Sequence, residues 1–152
     1  MKQLWVLFVL GAVLSWGSYV PLMHEGQKLL KGGALRAFLC VGAAYFLTAV
    51  VVPLVLLTGP KLEPWEWNAS GVKLATLGGI AGAAGALCVI LALKSGGSPL
   101  YVAPLVFAGA PIVNALVSMA WHKPATSPSA GFYIGLVLAA VGAGLVLRFR
   151  PT

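Results

Sequence analysis

Five stretches of this chain, residues 4–23, 34–57, 72–93, 100–121 and 131–147, are each long and apolar enough to cross a lipid bilayer as a helix. A span needs about 20 mostly apolar residues at about 1.5 Å of rise each. No other feature constrains the fold as strongly, because hydrocarbon supplies no water to satisfy an open backbone group. The expectation is an all-α integral membrane bundle of five transmembrane helices. Composition agrees: of 152 residues, 60% are hydrophobic and 9% charged, against roughly 25% charged in soluble domains.

The connectors at 24–33, 58–71 and 122–130 are short and polar, so no separate soluble domain fits and residues 1–152 read as a single transmembrane domain. The opening LWVLFVLGAVLSW imitates a secretory signal, but no A-x-A-like cleavage site follows it, which predicts a retained first span. Five spans put the two ends of the chain on opposite sides. Lys2, Lys61, Lys73 and Lys123 collect on the N-terminal side, and Lys28, Lys31, Arg36, Lys94, Arg148 and Arg150 on the other. The positive-inside rule then favours an external N-terminus and a cytoplasmic C-terminus, by a modest asymmetry that leaves insertion in both orientations open; a bacterial-type inner membrane is the expected location.

The net charge of +7 is spread among connectors, with no basic cluster interleaved with exposed aromatics, so the expected partner is the bilayer and not nucleic acid. Cys40 and Cys88 lie in apolar runs without C-x-x-C spacing and read as buried structural thiols. No metal and no cofactor is expected.

The stretch LALKSGGSPLYVAPLVFAGAPIVNALVSM, from Leu91 to Met119, organises the rest. It predicts a very tight turn through Ser95–Pro99, followed by a helix in which Pro104 and Pro111 release backbone carbonyls near mid-depth. Released groups are tolerated only where protein or a wet cavity satisfies them, which places a substrate path beside this fourth span. Asn114 and Ser118, four apart on one face of it, are either an interhelical hydrogen bond or a solute contact. In the first span, Trp16 and Tyr19 are either interfacial belt residues or the lining of a pocket opened by Gly17 and the bend at Pro21. Tyr45 and Thr48 share that spacing, and Thr48 has the further option of bonding its own helix carbonyl. Gly78, Gly82 and Gly85 in the third span, and Gly131 and Gly135 in the fifth, form small-residue packing faces, within one chain or between chains.

The three acids, Glu25, Glu63 and Glu66, all fall in connectors. A simple proton-coupled carrier needs a membrane-embedded carboxylate, so facilitated movement or exchange is expected. His24 at the edge of the first span is the nearest titratable substitute, and a boundary role suits it equally. With no H-E-x-x-H, no G-x-S-x-G and no intramembrane aspartate pair, no enzyme chemistry is expected.

Trp16-Gly17-Ser18, the run from Leu91 to Met119 and the closing GFYIGLVLAAVGAGLVL together resemble the EamA-type domain of the drug/metabolite transporter superfamily, over nearly the whole chain. The resemblance implies one five-span half of a ten-helix transporter built from two inverted halves around a central cavity. It also implies a small-molecule substrate, a homodimer, possibly antiparallel, or a heteromeric partner, and a cavity lined by the first, third and fourth spans. On that ground Trp16, Tyr19 and Asn114 become substrate-binding candidates. Where family members commonly carry a Glu just after the fourth span, this chain has Trp121-His122-Lys123-Pro124. The small multidrug resistance proteins are similar in size, but they have four spans and a carboxylate in the first. A non-transporting scaffold, or a subunit of a lipid-linked sugar flippase, is the competing reading.

Overall fold

A computed structural model describes residues 4–122 and 124–151, so Lys2 and Lys123 of the charge census lie outside the described residues. All the secondary structure described is helical. There are five apolar helices long enough to cross a membrane: α1 Leu4–Leu29, α2 Ala34–Thr58, α3 Ala69–Lys94, α4 Pro99–Trp121 and α5 Ala130–Arg148. Their mean hydropathy runs from 1.8 to 2.4. No residue of α5 is fully buried, and large side chains such as Phe8, Leu14, Leu39 and Leu138 are exposed along the helices. Such surfaces require lipid as the surrounding solvent. The chain is a multi-pass membrane protein.

α1 runs past the expected boundary at Met23 and ends at Leu29, carrying His24 to Gln27 into helix. Pro21 does not end it. The helix stops instead where Lys31 and Gly32 turn left-handed, at φ 51° and 71°. There the Gly32 N–H returns to the Gln27 carbonyl at 2.8 Å and closes the last turn.

The chain divides into two compact units, one formed by residues up to Val20 together with those from Gly97 onward, the other by Pro21–Gly96. In the second unit α2 packs on α3. Ala34, Ala37 and Val41 supply one buried face, and Ala86, Val89, Ile90 and Leu93 the other. Both sets recur at three- and four-residue spacing, and the alanines permit close approach of the backbones. Gln27, 4% exposed, donates from Nε2 to the carbonyl of fully buried Ile90 at 2.8 Å and so ties the end of α1 to α3.

Midway along α2 the backbone widens into a π turn over Leu47–Val51, where the Val52 N–H reaches back five residues to Leu47. Pro53 lies just beyond it. Its ring would crowd the carbonyl four residues earlier, and the wide turn relieves that clash. Thr48 bonds its own helix at the Ala44 carbonyl, 2.9 Å away, the local option open to it from sequence. The expectation of buried thiols is corrected: Cys40 and Cys88 are both exposed on the helix surface. An apolar run marks lipid-facing positions as readily as core ones, because lipid and core are equally apolar.

In the first unit α4 packs against α5. The turn before α4 uses Gly96 at φ 94°. Ser98 then caps the helix, its Oγ accepting from the Leu100 N–H at 3.3 Å, with Pro99 at the first helical position, where no N–H is needed. Both Pro104 and Pro111 lie inside α4.

Candidate functional site

Phe107, Pro111, Asn114 and Ser118 follow one another at four-, three- and four-residue intervals and therefore share one face of α4. At one end of this line the Phe107 ring meets Trp16 of α1, with centroids 6.2 Å apart and planes at 78°. Trp16 in turn stands 5.6 Å from Tyr19 at 54°. The edge-to-face geometry is the one that aromatic quadrupoles favour. Tyr19 and Phe107 are half-buried, while Trp16 remains 42% exposed.

At the other end, Asn114 and Ser118 line an open cleft of about 770 Å³ between α4 and α5. The connector folds over it with Thr126, Ser127 and Ser129. Ser129 occupies the N-cap position of α5 but makes no side-chain cap bond. The apolar side is supplied by Pro111, Ala115, Phe132 and Leu136. Counting from Trp121 at the helix end, Asn114 is about 10 Å and Pro111 about 15 Å along the axis. The cleft therefore reaches roughly half-way into a hydrocarbon core about 30 Å thick. Pro111 has no N–H to offer the Phe107 carbonyl four residues earlier, so an acceptor without its helical partner sits between the aromatic group and the cleft.

The structure thus joins Trp16 with Tyr19 and Asn114 with Ser118, but it does not bring Asn114 to Trp16. Both groups have members on the same face of α4. Phe107 links them and was not singled out from sequence, although its place four residues before Pro111 and seven before Asn114 was a legible sign. Tyr45 lies exposed on α2. Glu25 pairs with Lys28 at 2.8 Å on the exposed end of α1. Glu63 lies in the connector beside Lys61 and Trp65.

The small-residue faces take no part in these groups. A Cβ built on Gly78, Gly82, Gly85 or Gly135 would meet nothing within 4 Å, and on Gly131 only the Ser129 hydroxyl at 3.7 Å. The glycines of α3 are therefore not occupied by another helix of their own unit.

No curated protein and no solved structure matches the chain. A family does match, over residues 3–148, which takes in all five helices. Five membrane-length helices, a fourth helix that carries prolines and an amide, and a match across nearly the full length lead to one conclusion: the chain belongs to the EamA-like transporter family.

Proposed function

We propose that this protein is a secondary transporter or permease that moves a small organic metabolite or drug-like solute across a bacterial-type inner membrane. Its family is one of transporters. The observation that carries the reading is the face of α4, where Phe107, the carbonyl released by Pro111, Asn114 and Ser118 give a continuous line of aromatic and hydrogen-bonding groups at membrane depth. Polar groups at that depth face protein or a wet path and not lipid, which is what a solute route requires. Trp16 and Tyr19 form the aromatic end of the route and Asn114 its polar end.

The working unit is a pair of five-span domains, either two copies of this chain in opposite orientation or this chain with a related partner. The open glycine face of α3 supports that pairing, since small residues let a second backbone approach closely. The same open face favours the second reading, a scaffold that binds a partner without moving solute. The proposed orientation, an external N-terminus and a cytoplasmic C-terminus, rests on the distribution of Lys and Arg among the connectors.

Counterflow in proteoliposomes, screened with amino acids, sugars and drugs, separates the two. Transport predicts exchange of at least one solute class, with loss of rate in Trp16→Ala and Asn114→Ala. If no solute moves and these substitutions alter only complex assembly, the scaffold reading stands instead. Reporters fused to the C-terminus test orientation: a mixed signal indicates antiparallel copies, and a purely cytoplasmic one a separate partner or a parallel pair.

A further inference from the structure

The geometry points to the cleft between α4 and α5 as a binding site for an uncharged solute that carries several hydroxyl or amide groups on an apolar frame. This deepens the transport reading and rests on it for the solute's onward movement, though not for its binding.

The first argument is the chemistry of the lining. Asn114, Ser118, Thr126, Ser127 and Ser129 contribute one amide and four hydroxyls, and none of these side chains makes a hydrogen bond among the described residues. Elsewhere a helix hydroxyl closes on its own backbone: Ser18 bonds the Leu14 carbonyl at 2.8 Å and Thr58 the Leu54 carbonyl at 2.7 Å. Ser118 has the same option toward the Asn114 carbonyl and leaves it unused. Each of the five groups both donates and accepts, so together they match a partner that does the same, such as a polyol or an amide.

The second argument is what the lining lacks. No charged side chain is among the described residues that line the cleft. An ion carried half-way into the hydrocarbon needs a countercharge, and the described lining residues offer none. A neutral solute pays no such penalty.

The third argument is shape. The Phe132 ring and the Pro111, Ala115 and Leu136 side chains give the cleft apolar lining beside the hydroxyls. At about 770 Å³ the cleft lies within the roughly 300 to 1,000 Å³ usual for small-molecule sites. The solute that fits therefore combines an apolar part with hydroxyl groups, as in an aryl glycoside.

The test uses the full chain in proteoliposomes with Cys40 and Cys88 replaced by alanine and a single reporter, Met119→Cys, in the cleft wall. Phenyl glucoside, tetraphenylphosphonium and benzoate serve as neutral, cationic and anionic probes, and maleimide labelling of the reporter is timed with each. The expected result is roughly a tenfold slowing by phenyl glucoside alone, relieved when Asn114→Leu is added, with each variant retaining its helical content by circular dichroism. Equal protection by either ion, or protection by phenyl glucoside that survives Asn114→Leu, overturns the assignment. So does an absence of protection in a protein that still performs counterflow of another solute, an outcome that leaves the transport reading standing. Protection without any counterflow supports the site and overturns the transport reading.

Discussion

The side-chain amide of Gln27 donates to the main-chain carbonyl of Ile90 at 2.8 Å, in a setting where Gln27 is 4% exposed and Ile90 fully buried. This is a bond from the last turns of one membrane helix to the backbone of another. The Ile90 carbonyl also lies inside α3, where the helix supplies it with its regular acceptor role. Replacing Gln27 by leucine therefore removes a link without stranding the acceptor.

Gln27→Leu is expected to cost about 0.6 to 2 kcal/mol, the range for interhelical hydrogen bonds in membranes. Gln27→Glu is expected to cost more, because a buried carboxylate then faces a carbonyl oxygen with no donor between them. Unfolding in mixed micelles by a denaturing detergent measures both. Equal stability of the glutamate variant and the wild type would contradict the buried contact.

Trp16 and Phe107 are expected to be energetically coupled. A double-mutant cycle with alanine at each position predicts a coupling of about 0.5 to 1.5 kcal/mol. Counterflow by either single variant is expected to fall by up to about tenfold, the kinetic equivalent of the larger figure. Additive losses would show that the two rings act independently.

Pro111→Ala restores an N–H for the Phe107 carbonyl and regularises α4. Stability is expected to rise, by at most about 3 kcal/mol, while transport falls because the released acceptor disappears. The measurement pairs a detergent unfolding curve with counterflow. A variant as active as wild type would remove that carbonyl from the route.

Gly82→Leu places a large side chain where nothing stands within 4 Å. The helical content of the chain is expected to be unchanged, and association between copies to be lost, as read by energy transfer between labelled copies in liposomes. Undiminished association would assign the α3 glycine face to lipid.

The five helices were legible because a hydrocarbon solvent leaves the chain little choice. Residue counts near 20 and apolar character determine a span wherever it occurs, and the tight turn before Pro99 follows from Ser95, Gly96, Gly97 and Ser98. The in-helix prolines and the hydrogen-bonding pair Asn114 and Ser118 were likewise visible as spacing on one face. What sequence did not decide was which apolar face meets protein and which meets lipid. That ambiguity is why an apolar run predicts buried thiols at Cys40 and Cys88 where the fold exposes both, and why spacing alone leaves open what the glycines of α3 pack against. In water, burial separates apolar from polar residues, so periodicity reports the core. In lipid both sides of a helix are apolar, and only tertiary packing tells them apart. The same reason explains why the Gln27–Ile90 bond, the pairing of Phe107 with Trp16 and the cleft under Thr126–Ser129 emerged only from the fold: each joins residues distant in sequence through contacts that no local pattern encodes.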